Sequence, residues 1–157
     1  MGAVNLASEM NSFFPGALSQ MLEGAGGAAA HRGWAAYLVG GAVRDMLLGR
    51  PCLDVDIAVE GEAIAVAQAI AGGRRVVGHT RFGTATVKGE GWSLDLASTR
   101  QESYPYPGAL PVVSPGAITQ DLFRRDFAVN AMAIDLSPAR QGEMVDPYGG
   151  WGDLRRG

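Results

Sequence analysis

Cysteine, histidine and long apolar runs are scarce in this chain of 157 residues. The single cysteine, Cys52, excludes an internal disulfide and a cysteine-based metal cluster, and it favours a reducing cytoplasm. The two histidines, His31 and His79, argue against a zinc enzyme. The first residues carry no basic head and no long apolar stretch, so we expect neither a signal peptide nor a membrane span.

Lysine is also nearly absent, because 12 of the 13 basic residues are arginines and only Lys88 is a lysine. The net charge of −3 argues against a broad nucleic-acid-binding surface, since affinity for polyanions comes largely from neutralised phosphates. Arginine suits fixed, bidentate contacts with phosphate, although a GC-rich genome would produce the same bias. The charge balance therefore leaves room for a nucleotide site.

Hydrophobic residues make up 47% of the chain, which predicts one globular domain with its own core. We assign residues 1–33 to a short helix (13–22) followed by a flexible connection (23–30), and residues 34–157 to the folded domain.

From residue 34 onward, strand-like and helical patterns alternate, which predicts an α/β fold. The later strands follow one another too closely for helical crossovers, so we expect a mixed sheet. Residues 100–118 carry prolines but no period, and are expected to form a long functional or mobile loop. The predicted elements are strand 35–39, helix 41–48, strand 55–59, helix 62–71, strands 74–77, 82–88 and 92–98, helix 119–132 and a strand near 132–136.

Gly40 and Gly41 lie between a predicted strand and a short helix that Gly49 is placed to end. A helix that opens on bare backbone N–H groups attracts anions, and glycine lets a phosphate approach closely. Arg44, in the first turn, lies against the local helix dipole, and an anionic ligand would explain its presence. Pairing of Arg44 with a nearby carboxylate is the alternative.

Asp54 and Asp56 open the next predicted strand, where alternate side chains share a face. Such a pair can hold divalent cations, and those cations can organise a triphosphate at the neighbouring glycine turn. An isolated Asp-x-Asp is more often the wet face of a strand. The position of this Asp-x-Asp directly after the glycine turn and helix makes it a much more specific indication of a metal site.

A second block of residues suited to binding a ligand contains Arg124, Arg125 and Asp126. Adjacent arginines on a helix point about 100° apart, so one can face inward while the other faces solvent. Asp126 is placed to hold an arginine in one rotamer and so preorganise a phosphate contact. By itself, such a run is most often a solvated charge patch.

Together these blocks resemble the catalytic head domain of bacterial class II tRNA nucleotidyltransferases and their poly(A) polymerase relatives. Both belong to the polymerase-β-like nucleotidyltransferase superfamily. The resemblance implies a mixed sheet of about five strands with helices packed on one side. The matching segments, in the family's order, are LVGGAVRDMLLGR, DVDIAVEG, FGTATV, DLASTRQESYPYPGALP, DLFRRDFAVNAMA and DPYGGWGDLRRG.

The resemblance also implies a role for each carboxylate of the site. Asp54 and Asp56 would ligate two magnesium ions (Mg²⁺) and so carry catalysis. Asp95, on a strand expected beside them, would be a third carboxylate that draws the primer hydroxyl toward the metals, although an edge-strand aspartate would give the same pattern.

Four further residues are implied to bind the nucleotide. Gly40 and Gly41 would lie against the incoming triphosphate, with Arg44 on its phosphates. Arg125 would contact the nucleotide, supported by Asp126.

The activity implied by the resemblance is metal-dependent transfer of AMP, or of CMP and AMP, from a nucleoside triphosphate to the 3′-hydroxyl of tRNA. The expected partners are ATP and the tRNA 3′ end, together with CTP in a CCA-adding enzyme. No interaction with a membrane is expected. Alternatives are an enzyme that adds only A to other RNAs, a catalytically silent nucleotide-binding module, and a small antibiotic- or protein-directed nucleotidyltransferase. The intact Asp-x-Asp argues against the silent module, and DLFRRDFAVNAMA argues against the last.

In the family, the base is read by a Glu/Asp-x-x-Arg motif in a helical neck after the head, and body and tail domains hold the tRNA. The sequence ends at Gly157, where that neck would begin. We therefore expect an excised head domain rather than a natural short form. Such a chain should bind nucleoside triphosphate weakly, with little base preference, and add nucleotides poorly.

Overall fold

A computed structural model describes residues 4–110, 112–125 and 127–156. The strands are β1 (Ala36–Val39), β2 (Asp54–Val59), β3 (Val76–His79), β4 (Thr84–Lys88), β5 (Ser93–Ser98), β6 (Arg100–Ser103), β7 (Val112–Pro115), β8 (Ala133–Asp135) and β9 (Met144–Val145). The helices are α1 (Ala7–Phe13), α2 (Gly16–His31), α3 (Gly41–Leu48), α4 (Ala63–Ile70), α5 (Ile118–Phe123) and α6 (Gly150–Arg156), and a 3₁₀ turn spans Ala128–Asn130.

The main sheet is mixed, as expected, with the strand order β3-β4-β5-β2-β1-β8-β9. The parallel pair is β2 with β5, and the other neighbours in this sheet are antiparallel. The described residues thus form seven strands in this sheet rather than about five. The sheet is wider because β8 pairs with the outer edge of β1 and the two-residue β9 pairs with β8.

The two faces of the sheet are used differently, as the alternation of side chains along β2 shows. Val55, Ile57 and Val59 enter the main core, which α1 to α4 cover. Their neighbours Asp54 and Asp56 emerge on the opposite face. Helix α5 covers a separate part of that face, where its apolar residues join a smaller cluster with β1 and β2. That cluster contains Tyr37, Val39, Ala58, Ile118, Leu122, Ala131 and Ala133.

The flexible connection predicted for residues 23–30 is wrong, because α2 continues through it to His31. Alanine favours helix, and Ala25 and Ala29 are buried in the main core. Gly26 serves close packing rather than flexibility, since a Cβ there would lie 1.8 Å from the carbonyl oxygen of Leu136. No helix of the described segments is long and apolar enough to cross a membrane.

The predicted loop at 100–118 is largely a hairpin, in which β6 and β7 pair antiparallel from Arg100 opposite Pro115. Only eight residues separate its two strands, but the prolines and the absence of a period in that stretch hide the pairing. The helix predicted for 119–132 is also shorter than expected. Helix α5 ends at Phe123, and Phe127 has an extended backbone before the 3₁₀ turn.

The predicted glycine turn has the expected form. Gly40 has a φ of 71°, which lets the chain leave β1 and enter α3 at once. Gly49 has a φ of 68° and ends α3 in the left-handed conformation. The strand, turn, helix and strand that carry the predicted site therefore lie where the sequence indicates.

Candidate active site

The predicted carboxylates belong to a row of residues that crosses the sheet. Asp56 lies opposite Asp95 in the parallel pairing of β2 with β5, and Asp95 lies opposite Thr86 on β4. On the other side, Asp56 lies opposite Val39, the last residue of β1 before the glycine turn. Asp54 is two residues earlier on β2 and, like Asp56, is exposed.

A pocket of about 300 Å³ opens over this row. Its floor comes from the sheet, and its wall comes from α5 and the residues that follow it. The lining includes Asp56, Asp95 and Thr86 from the strands, and Asp121, Arg124 and Arg125 from the wall. Asp56 of the Asp-x-Asp block and the two arginines of the RRD block, distant in sequence, therefore meet at one cavity.

Gly40, Arg125 and Asp56 converge at one end of this row. A Cβ on Gly40 would lie 3.3 Å from Nη1 of Arg125 and 3.9 Å from Oδ2 of Asp56. Any larger residue would therefore press on the guanidinium, in addition to the strain of a positive φ. Arg125 and the Gly40 turn, both predicted to bind the nucleotide, are neighbours in space.

Arg44 lies beside the second glycine of the turn, since a Cβ on Gly41 would lie 3.2 Å from Nη2 of Arg44. Its Nε donates to Oδ1 of Asp45 at 3.0 Å, which is the carboxylate pairing considered as an alternative. Its Nη1 donates to Oδ1 of Asn130, also at 3.0 Å. About a third (34%) of the side chain remains exposed, so these bonds orient a guanidinium that solvent still reaches.

Negative charge is concentrated around Asp56. Partial burial raises the pKa of Asp56, and the nearby Asp95 and Asp54 carboxylates raise it further. The Arg125 guanidinium acts in the opposite sense and lowers this pKa. Across the row, Thr86 donates from Oγ1 to Oδ1 of Asp95 at 2.6 Å and so fixes that carboxylate. The net effect is a surface on which a bound cation would be stabilised.

Arg125 has a partner among the described residues that the sequence analysis did not include. Asp126 lies outside the described residues, whereas Nη2 of Arg125 contacts Oδ2 of Asp121 at 3.4 Å. Asp121 and Asn130, which hold Arg125 and Arg44, were absent from the predicted site. The spacing of four residues between Asp121 and Arg125 was the available signal, because such residues share a helix face.

Oxygen donors are the ligands that this pocket offers. Among residues 4–110, 112–125 and 127–156, three or more His, Cys, Asp or Glu side chains are nowhere grouped so as to hold a metal ion. The described carboxylates of the site therefore do not form a closed cage of ligands.

Known proteins share both the sequence and the shape of this domain. Residues 36–157 match the poly(A) polymerase head domain. An A-adding tRNA nucleotidyltransferase of Halalkalibacterium halodurans is 47% identical over 98% of this chain and 36% of its own length. A CC-adding tRNA nucleotidyltransferase of Deinococcus radiodurans is 45% identical over 76% of this chain and 33% of its own length.

A solved structure extends the similarity to three dimensions. The Thermotoga maritima CCA-adding enzyme complexed with tRNA superposes with a TM-score of 0.82 at 32% identity. The match covers 100% of this chain and 36% of that one. The chain thus spans roughly a third of the length of these relatives. Its sequence and fold place it in the poly(A) polymerase head-domain family.

Proposed function

We propose that this chain is the catalytic head of a tRNA nucleotidyltransferase. It would transfer AMP, or CMP and AMP, from a nucleoside triphosphate to the 3′-hydroxyl of tRNA and release pyrophosphate. The observation that carries the proposal is that Arg125 and Asp56, which line one pocket, converge at the Gly40 turn. The substrates come from the relatives, which are named as A-adding, CC-adding and CCA-adding enzymes.

Asp54 and Asp56 are proposed to hold Mg²⁺, with two ions expected by analogy with the family. The donor set fits, because both carboxylates emerge on one face and Arg125 only partly offsets the charge around Asp56. Mg²⁺ prefers oxygen ligands and keeps water and substrate phosphates in its shell, so two protein carboxylates are sufficient. Bound there, it would supply charge neutralisation for the triphosphate and activation of the acceptor hydroxyl.

The remaining residues are proposed to position the substrates. The backbone of Gly40 and Gly41 would lie against the triphosphate, with Arg125 beside Gly40 and Arg44 beside Gly41 as donors to its oxygens. Asp95, held by Thr86, lies beside Asp56 in the row and is proposed to orient the acceptor hydroxyl. Catalysis would then be a matter of positioning and electrostatics.

The test compares the chain with Asp54→Ala and Asp56→Ala. ATP binding is measured by calorimetry with and without Mg²⁺, and addition is followed with excess protein, labelled triphosphate and tRNA lacking its terminal nucleotides. We expect Mg²⁺ to tighten ATP binding by the original chain, and each variant to lose that gain and all measurable addition while staying folded. Asp153→Ala is the matched control, since Asp153 pairs with Arg156 on α6 and lies outside the pocket.

The outcomes separate the alternatives. A variant that keeps the Mg²⁺-dependent gain, or adds nucleotides at nearly the original rate, would show that the metal assignment is wrong. Mg²⁺-dependent binding without any addition, even after the remaining domains are supplied in one chain, would favour the silent nucleotide-binding module. Identities of 47% and 45% are too close to choose between A and CC addition, so tRNA substrates that end at different positions must decide. The cytoplasmic location remains a prediction.

A further inference from the structure

Asp121 is a buried carboxylate that the predicted site did not include. Its residue is only 3% exposed, on the inner side of α5. Oδ1 of Asp121 accepts from Nε and Nη2 of Arg124 at 3.4 and 3.3 Å and from the backbone N–H of Arg100 at 3.2 Å. Oδ2 accepts from Nη2 of Arg125 at 3.4 Å. One carboxylate thus gathers two guanidinium groups and the first residue of β6.

The two ends of the Arg125 guanidinium have different surroundings. Nη2 is bonded to Asp121, whereas Nη1 lies beside Gly40 and near the Asp56 carboxylate. Nε is buried and makes no hydrogen bond to any described residue. The direction in which Nη1 points is therefore set mainly by the bond from Nη2 to Asp121.

We propose that Asp121 is a positioning residue that holds Arg125 over the Gly40 turn, ready for the triphosphate. This inference rests on the proposed function. Nη1 of Arg125 and Oδ2 of Asp56 flank the same Cβ position of Gly40, so a guanidinium released from Asp121 would turn toward Asp56. Asp121 therefore keeps one cation available to the nucleotide and keeps Asp56 available to Mg²⁺.

A carboxylate suits this role better than an amide of the same shape. Ionised aspartate has acceptor sites for several donors, and each bond to a guanidinium is charge-assisted. Asparagine offers one acceptor oxygen, and its NH₂ group would face an arginine donor. Asp121→Asn should therefore release Arg125 while leaving the volume of the buried side chain almost unchanged.

The experiment uses the full chain and the variants Asp121→Asn, Arg125→Ala and the double variant. Asp153→Asn is the matched control, because it also removes an aspartate that pairs with an arginine three residues away on a helix. The first measurement is the ¹⁵N relaxation of the Arg125 Nε–H group without nucleotide. The second is the affinity for ATP with Mg²⁺, with circular dichroism confirming that each variant is folded.

We expect the Arg125 Nε–H to be rigid in the original chain and in Asp153→Asn, and mobile in Asp121→Asn. Asp121→Asn should weaken ATP binding about tenfold, the scale of one charge-assisted hydrogen bond. In the Arg125→Ala background, the same substitution should change ATP affinity by less than about twofold, because a residue that acts through Arg125 has no effect without it. A merely structural role would give the same loss in both backgrounds.

Three results would overturn the inference: a rigid Arg125 in Asp121→Asn, an unchanged ATP affinity in that variant, or an equal loss in the Arg125→Ala background. A fourth result separates this failure from that of the proposed function. If the original chain bound no nucleoside triphosphate, the proposed function would be wrong. The inference about Asp121, which rests on that function, would then also be wrong, whatever the mobility of Arg125.

Discussion

At the scale of single residues, the site depends on a backbone position that only glycine fills without strain. Gly40 combines a φ of 71° with the close approach of Arg125 and Asp56. The positive φ affects stability, whereas the close approach of Arg125 and Asp56 affects the site. Gly73 is a suitable comparison, because it has a positive φ of 89° but open space around its Cβ position.

We expect Gly40→Ala and Gly73→Ala each to lower the free energy of unfolding by about 1–3 kcal/mol, because both impose a positive φ on alanine. Only Gly40→Ala should also weaken ATP binding with Mg²⁺, by tenfold or more. Denaturant unfolding and calorimetry measure the two effects. Equal ATP affinities in the two variants would show that the approach of Arg125 to Gly40 has no part in binding.

The raised pKa of Asp56 leads to a second prediction at this scale. A carboxyl group whose pKa is higher in the folded state than its ordinary value of 3.8 binds protons more tightly when folded. Stability is therefore lost as pH rises from that value through the folded pKa. Asp56→Asn should escape this loss and be more stable than the original chain at neutral pH.

Because Asp56 is still reached by solvent, the expected gain is only roughly 0.5 kcal/mol, or about 1–2 °C in Tm. The stability gain of Asp56→Asn should shrink as the pH falls below 4. Thermal unfolding between pH 3.5 and 7, with EDTA present, measures it, and Asp153→Asn should show no such gain. An Asp56→Asn variant less stable at pH 7 would contradict the electrostatic account.

At the scale of elements, close packing explains where the sequence-based prediction failed. Residues 23–30 have the composition of a flexible linker, yet they form the second half of α2. A glycine that permits flexibility and one that permits contact look the same in a sequence. The distinction becomes visible at Gly26, which touches the backbone of Leu136, and at Gly27, which faces open space.

Gly26→Ala and Gly27→Ala should therefore have opposite effects. The first places a Cβ 1.8 Å from a carbonyl oxygen and must push α2 away from the sheet, so we expect a loss of about 2–3 kcal/mol. The second replaces an unhindered helical glycine, so we expect a gain of about 0.5–1 kcal/mol. Chemical denaturation of both variants is the measurement. Similar stabilities would mean that α2 does not pack here as described.

At the scale of the whole molecule, local patterns predicted the parts of the fold that local chemistry determines. The β1 strand, the Gly40 turn, α3 and β2 lie where alternation, capping and glycine placement indicated. Pairing of β6 with β7 and of β8 with β9 was missed, because these strands are only two to four residues long and neither alternation nor a two-residue turn marks them. Asp126 is predicted to support Arg125 because it is the adjacent carboxylate, and it lies outside the described residues; Asp121 is a further partner, four residues before Arg125.

The size of the chain relative to its family leads to the last prediction. The described pocket contains phosphate-binding and metal-binding candidates, and its lining offers few groups that would distinguish one base from another. We expect the chain to bind ATP and CTP with Kd values within about threefold of each other. Calorimetry with both nucleotides is the measurement, with GTP and UTP as controls. A preference above tenfold for one base would place base recognition within these residues.

The parallel pairing of β2 with β5, the only one among the described strands, has a consequence for how the chain folds. Asp56 and Asp95 become neighbours only when β2 and β5 associate, after a helix and two other strands have intervened. Closing so large a loop costs entropy before any contact compensates for it, and such non-local pairings slow folding. A nascent or partly unfolded chain would therefore hold its two acidic strands apart. The proposed site should therefore form late on the folding pathway, together with the centre of the sheet.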